Sequence, residues 1–234
     1  MKMAIIGAGE GSRLRQEGVS VSKPLVRING VPMVERIVRI AARNGIESLH
    51  IIIHEAFGEV RDHLDSLDVG IPVSCRLLST PSSMHTLFAL APDMKSSPFC
   101  LSTVDTVFRE IEFSRFLEFC NAAQDVQGVL AVSDFIDDEN PLCVTLDAQD
   151  RITGFHDSRQ GCRFATGGVY FFSPLIFSEM EHALENGISR LRNFLRLLLH
   201  RGYVLKAFPF SKMVDVDHLS DIREAERFLA TEAE

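Results

Sequence analysis

The sequence contains no tryptophan and only two tyrosines, against 17 phenylalanines. A base-stacking surface would need aromatics set in a basic groove, and there is no basic surplus, since the formal net charge is −8. That balance excludes a general nucleic-acid binder, and the phenylalanines read as core. No C-x-x-C pair occurs. The five cysteines (Cys75, Cys100, Cys120, Cys143, Cys162) have no regular spacing, so reduced, mostly buried thiols are expected. Long apolar runs are missing too. Residues 1–9 are mostly apolar, but Glu10, Arg13 and Arg15 end the run too early for a signal or membrane segment. A cytoplasmic protein with no membrane partner is expected. There is no internal repeat, no low-complexity tract and no Pro/Gly/Ser-rich linker.

What is present is a globular composition, 46% hydrophobic and 24% charged over 234 residues. A chain of this length buries roughly 70–75% of its unfolded surface and needs no metal or disulfide to fold. The charge is unevenly placed. Residues 1–43 hold eight basic residues (Lys2, Arg13, Arg15, Lys23, Arg27, Arg36, Arg39, Arg43) and three acidic ones (Glu10, Glu17, Glu35), while the remainder holds 16 basic and 29 acidic. A positive start on an acidic chain suits a small anionic ligand better than a polymer. Arg36, Arg39 and Arg43 follow helical spacing and read as solvated helix charges.

Strand-like and helix-like patterns alternate. Residues 3–7 form a short apolar run closed by glycine, and 8–22 lack helical periodicity. An extended piece at 25–28 leads into the Asn29-Gly30 turn; Pro32 stands where a first helical residue would, and Gly45 where a C-terminal cap would. Strands are expected at 49–53, 72–78, 99–103 and 128–132, helices at 56–67, 84–94 and 113–122. This alternation implies an α/β fold with a largely parallel sheet. Extended segments come next at 142–146, 152–155 and 164–172, then helices at 174–185 and 189–200, a strand at 204–208 and a helix at 220–229. One α/β domain over 1–234 is expected, with an inserted β-rich lobe at about 135–173.

Ala8-Gly9-Glu10-Gly11-Ser12-Arg13-Leu14 leaves the first strand as a glycine loop. Such loops let inward-turned N–H groups cradle an anion, and Arg13 adds donors suited to phosphate. A dinucleotide fingerprint would need a third glycine where Ser12 stands and an acidic residue near position 30. A Lys-Pro pair and an Asn-Gly turn occupy that stretch instead, and no Gly-Lys-Ser/Thr of a P-loop is found after the loop.

The glycine loop, then Ser22-Lys23-Pro24-Leu25, then Asn29-Gly30-Val31-Pro32-Met33, then Gly45-Ile46 together resemble the nucleotidyltransferases that make nucleotide-sugars, the sugar-nucleotide pyrophosphorylases. The resemblance implies a Rossmann-like three-layer α/β/α fold with a mostly parallel mixed sheet and a small β-rich insertion. It implies that Ala8, Gly9, Gly11, Ser12 and Arg13 bind nucleotide, and that Arg13 and Lys23 hold its phosphates. Asp105, in Thr103-Val104-Asp105-Thr106-Val107-Phe108, resembles the Mg²⁺-binding aspartate of the family's G-D-x-x-F segment, with Val104 in place of glycine. Its position after a buried strand also suits a crevice ligand; alone it would read as a turn cap. In Met213-Val214-Asp215-Val216-Asp217-His218, the register of the family's W-x-D-x-x-T segment favours Asp215 as the second ligand; Asp217 is the alternative ligand, or equally a structural acid near a helix start. Catalysis would then rest on Arg13, Lys23 and Asp105.

Ser82 and Ser83 stand where the family has a small G-T-A-like segment contacting the nucleotide; as plain residues they could equally cap the helix. The E-K-P segment has no counterpart lysine, and Arg159 or Arg163 could substitute. Residues 165–172 resemble the N-A-G-x-Y segment that lines the sugar pocket, placing Thr166 and Gly168 at the acceptor. His50 and His54 read as structural. The implied reaction is Mg²⁺-dependent transfer of a nucleotidyl group from a nucleoside triphosphate to a sugar 1-phosphate or similar small phosphorylated acceptor, releasing pyrophosphate. The alternatives are a phosphocholine-type cytidylyltransferase, a non-catalytic nucleotide-binding regulatory domain and a dinucleotide-dependent oxidoreductase. Base, acceptor and oligomeric state stay open.

Overall fold

The computed structural model describes residues 1–9, 11–135, 140–159 and 161–231. Glu10 of the glycine loop and residues 136–139 and 160 of the lobe lie outside them. The chain begins with β1 (Lys2–Gly7), α1 (Ser12–Gln16), the hairpin β2 (Arg27–Ile28) and β3 (Val31–Pro32), α2 (Met33–Arg43), β4 (Ser48–Ile53), α3 (Gly58–Asp65) and β5 (Val73–Leu77). It continues with α4 (Ser83–Ala89), α5 (Ala91–Met94), β6 (Phe99–Thr103), β7 (Thr106–Val107), α6 (Glu110–Ala122) and β8 (Gly128–Ser133). The last part holds β9 (Cys143–Leu146), β10 (Ile152–His156), β11 (Phe164–Phe172), α7 (Met180–Glu185), α8 (Leu191–His200), β12 (Leu205–Pro209), β13 (Val214–Asp215) and α9 (Leu219–Ala230).

Nine strands make one sheet in the order β10-β9-β11-β6-β1-β4-β5, with β8 pairing β11 and β12. β1 runs parallel to β4 and β6, β4 to β5, and β8 to β12. β11 is antiparallel to β6, β8 and β9. Buried strands alternate side chains between two covered faces, which is why they read as unbroken apolar runs. Met3 and Ile5 pack into the layer of α2, α3 and α6. Ala4 and Ile6 pack into the opposite layer with α4, α5 and α8. A third, smaller cluster joins Leu14, Ile28, Val107, Val214, Val216 and Phe228.

Several local expectations give way to packing. Residues 8–22 do contain a helix, α1, entered through Gly11 at φ 62 and anchored by buried Leu14. The helix expected at 84–94 is two, since Pro92 offers no N–H to continue the ladder. Residues Pro174–Glu179 form a 3₁₀ turn before α7, and Pro32 lies in β3, one residue ahead of α2. Asn29 and Gly30 both take positive φ, 48° and 80°, as a tight hairpin turn requires. No disulfide joins any of the five cysteines.

Candidate active site

Parallel strands β1 and β6 end side by side, so the glycine loop after β1 and the segment after β6 meet at one sheet edge. A Cβ at Gly7 would lie 2.8 Å from side-chain atoms of both Ile53 and Val104, and one at Gly11 would lie 2.9 Å from Cβ of Lys23. The bare backbone therefore lets the loop close onto Lys23. That residue opens the 3₁₀ turn Lys23–Leu25, with Pro24 fixing the turn. Asp105 lies just past the end of β6.

Lys23 Nζ donates to Asp105 Oδ2 and to Asp217 Oδ1, each at 2.6 Å. Arg13 Nη1 donates to Asp217 Oδ2 at 2.7 Å. The Lys23 side chain is 10% exposed. Burial alone would push its ammonium down, but the carboxylates of Asp105, Asp215 and Asp217 and the hydrogen bond with Asp105 win, holding it above the ordinary lysine range. Burial likewise works to raise Asp105, and is outweighed by the Lys23 charge and by hydrogen bonds from Lys23 and Thr103, which keep the carboxyl below its usual range.

The second acidic segment is placed by β13, which pairs antiparallel with β7, Asp215 opposite Thr106. Val216 N donates to Asp105 O at 3.0 Å. Val214 and Val216 are buried in the third cluster, so Asp215 and Asp217 turn the other way, toward the site. Asp217 closes ion pairs with Lys23 and Arg13, and the charge of Asp215 also acts on Lys23. The position of Asp217 is fixed from behind: Asp217 N and His218 N both donate to Asp221 Oδ2, at 2.9 and 2.7 Å. Glu17, just past α1, accepts from Leu219 N at 2.8 Å and lies 2.6 Å from His218 Nδ1.

Two cavities adjoin here. One, of about 590 Å³, is lined by Ala8, Gly9, Gly11, Ser12, Lys23 and Ser82 among others. The other, of about 380 Å³, is lined by Thr166, Gly168, Tyr170, Arg190, Arg192 and Asp215 among others. Arg13, Ser83, Thr103, Asp105 and Asp217 line both. Ser82 makes no side-chain cap to its own helix. Instead Ser82 Oγ and Ser83 Oγ accept from Arg190 N and Leu191 N, both at 3.1 Å, and tie the start of α4 to the start of α8.

Thr166, Gly168, Ser82 and Ser83 thus stand on the cavity walls, together with the loop and the charged seam. Arg159 and Arg163 do not. They turn toward Asp134, and Arg190 and Arg192 occupy the cavity wall instead. No residue pattern marks these two in advance, nor Glu17 and Asp221. Arg190 takes φ 68, unusual for a non-glycine residue. His50 faces Asp93 at 3.6 Å, and His54 accepts from Ala56 N. Among the described residues no group of three or more His, Cys, Asp or Glu could hold a metal.

The nucleotidyl transferase family model matches residues 2–232. This chain belongs to the nucleotidyl transferase family. Low-salt glycan biosynthesis nucleotidyltransferase Agl11 of Haloferax volcanii is 23% identical over 212 residues, covering 88% of this chain and 59% of that relative. The chain therefore spans about three-fifths of the relative's length. Among solved structures, the inositol-1-phosphate CTP transferase from T. maritima aligns with a TM-score of 0.83 at 21% identity, over 97% of this chain and 95% of that one. UDP-glucose pyrophosphorylase from Acinetobacter baumanii aligns with a TM-score of 0.82 at 15% identity, over 99% and 94%. The nucleotidyl transferase fold is thus shared along nearly the whole chain. Among the described residues of this nucleotidyl transferase, no helix is long and apolar enough to cross a membrane.

Proposed function

We propose that this nucleotidyltransferase moves a nucleotidyl group from a nucleoside triphosphate to a small phosphorylated acceptor and releases pyrophosphate. The observation that carries this reading is the seam of Arg13, Lys23, Asp105 and Asp217 where two cavities meet. The cavity under the glycine loop suits the nucleotide, the second the acceptor, with the lobe at about 135–173 contributing part of its wall.

An acceptor phosphate oxygen attacks the α-phosphorus. The new P–O bond forms as the bond to the β-phosphate oxygen breaks, and the leaving pyrophosphate takes the electron pair. Both partners are anions. Two like charges 4 Å apart repel by about 4 kcal/mol at an effective dielectric near 20, so neutralisation outweighs any need for a nucleophilic side chain. Arg13 and Lys23 hold the phosphates and the departing charge.

The residues fit a hard divalent cation. Asp105 and Asp217 share one ammonium at 2.6 Å each, so two carboxylate oxygens already converge on a single cationic position. Mg²⁺ takes one or two carboxylates plus phosphate oxygens. When bound, it would neutralise triphosphate charge and polarise the α-phosphoryl group. The closed ion pairs favour Asp217 over Asp215 as the partner of Asp105.

The test is pyrophosphate release over a panel of Mg-nucleotides and phosphorylated acceptors. Asp105→Asn should lower turnover by roughly 100-fold or more while the circular-dichroism melt keeps its shape. Full turnover in that variant would remove Asp105 from the chemistry. A wild type that binds Mg-nucleotide and releases no pyrophosphate with any acceptor would favour a binding-only role.

A further inference from the structure

Asp217 sits in a stretch that the apolar core holds at its two ends. Val216 before it is fully buried, and Ile222 after it packs against the third cluster. Leu219 between them, the first residue of α9, is 40% exposed, so burial does little to anchor it. Polar contacts hold this stretch instead. Asp221 accepts from Asp217 N and His218 N, which stiffens the turn but ties it to its own helix. Lys23 and Arg13 grip the Asp217 carboxylate from outside. Glu17 grips the backbone behind it, accepting from Leu219 N at 2.8 Å and from His218 Nδ1 at 2.6 Å. The amides of residues 217–219 are thus each met by a carboxylate, at a helix start whose N–H groups have no partner within the helix.

Arg13 lies in α1, and Glu17 closes that helix, its amide donating to Arg13 O at 3.1 Å. Leu14 between them is buried in the third cluster with Val216. One helical turn therefore reaches the 217–219 stretch twice, by a guanidinium inside the site and by a carboxylate outside it. Arg13 lines both cavities, whereas Glu17 lines neither. The two links differ in what a ligand does to them. A triphosphate in the glycine-loop cavity would compete for the Arg13 guanidinium and the Lys23 ammonium, since both suit phosphate oxygens. It would leave untouched a carboxylate that lies away from the cavities.

We propose that Glu17 is a positioning residue: it holds the start of α9 against α1, so that Asp217 stays directed at the site when a bound triphosphate takes Arg13 and Lys23 away from it. This rests on the reading of the glycine-loop cavity as the nucleotide site. Without Glu17 the ion pairs still place Asp217 in the free protein, and the defect emerges once nucleotide is bound. A purely structural role would weaken both states alike.

The experiment compares wild type with Glu17→Ala and Glu17→Gln. The carboxamide of Glu17→Gln can still accept from Leu219 N, which makes it the conservative rescue. Mn²⁺ binding is followed by electron paramagnetic resonance, with and without the α,β-methylene analogues of ATP, CTP, GTP, UTP and dTTP, which cannot be cleaved at that bridge. Turnover is read as pyrophosphate release over the acceptor panel, and thermal melts check the fold. With nucleotide present, the Mn²⁺ affinity of Glu17→Ala should fall about tenfold, as for loss of one charge-assisted hydrogen bond. Without nucleotide it should hardly change. The kcat of Glu17→Ala should fall by a similar factor while KM for the nucleotide stays nearly constant, and Glu17→Gln should recover most of both losses.

Equal weakening of Mn²⁺ binding with and without nucleotide would overturn the proposal, as would wild-type Mn²⁺ affinity and kcat in Glu17→Ala. If wild type binds the nucleotides and releases no pyrophosphate with any acceptor, the transfer reading fails separately, and the Mn²⁺ comparison still decides the role of Glu17. A wild type that binds none of the nucleotides would overturn both.

Discussion

Lys23 places its ammonium between Asp105 and Asp217, the place where a divalent cation would sit. On the proposed reading, lysine and metal would compete in the nucleotide-free protein, and a triphosphate would relieve the conflict by drawing Lys23 onto phosphate. Two consequences separate this from a purely structural ion pair. Lys23→Met should bind Mn²⁺ more tightly than wild type in the absence of nucleotide, by about tenfold for a partly screened like-charge contact, and should bind Mg-nucleotide less tightly. It should also be less stable, by about 1–3 kcal/mol, because the half-buried Asp105 and Asp217 lose their shared ammonium, and Mn²⁺ should restore part of that loss. A Mn²⁺ titration and thermal melts with and without metal check both. Weaker metal binding in Lys23→Met would mean that the lysine orders the carboxylates and does not compete for them.

At the scale of elements, the wall of the smaller cavity, the proposed acceptor side, is shaped by an irregularity in β11. Its pairing with β8 shifts register between Thr166 and Tyr170, a bulge that aims the strand at a site. Gly168 sits in this interval at φ 71, and a Cβ there would overlap Thr106 Oγ1 and crowd Thr103 Oγ1. Gly168→Ala should lower stability by about 2–4 kcal/mol through strain and overpacking, read as an earlier urea midpoint; an unchanged midpoint would show that the bulge can relax. Residues 99–103 and 128–132 were legible as strands because both faces are buried and the runs are unbroken. The glycine loop and the Asn29-Gly30 turn were legible because positive φ and close approach restrict the residue type. β7 and β13, two residues each, carry no period to read. Glu17 and Asp221 gain meaning only from contacts: the Glu17–His218 pair spans 201 residues, and no local pattern announces such a partner. Register alone favours Asp215, and no local pattern shows which acidic residue Lys23 and Arg13 reach, since that depends on where their side chains arrive.

For the whole molecule, the site is shared unequally between its cores. Two large clusters fill the layers on either side of the sheet and hold β1 and β6. The third, smaller cluster carries Leu14 beside Arg13 and Val216 beside Asp217, and packs them with Phe228 of α9. Small satellite clusters open at lower free energy than a main core, so the segments holding Arg13 and Asp217 should be the ones that open locally. Ligands binding the closed form stabilise it by mass action, by about 2.7 kcal/mol at 100 times Kd. For a chain of this size that amounts to several degrees in Tm. If Mg-nucleotide bridges the glycine loop and Asp217, as proposed, its added amide-exchange protection should concentrate in α1 and α9 and leave β1 and β6 nearly unchanged. An acceptor phosphate alone, in the cavity that Asp217, His218 and Asp221 line together with residues 165–168, should protect the start of α9 and, unlike Mg-nucleotide, β11 as well. Hydrogen exchange by mass spectrometry with each ligand separately reads this directly, and uniform protection across all three clusters would contradict the division, because it would mean that the site opens only when the whole sheet does.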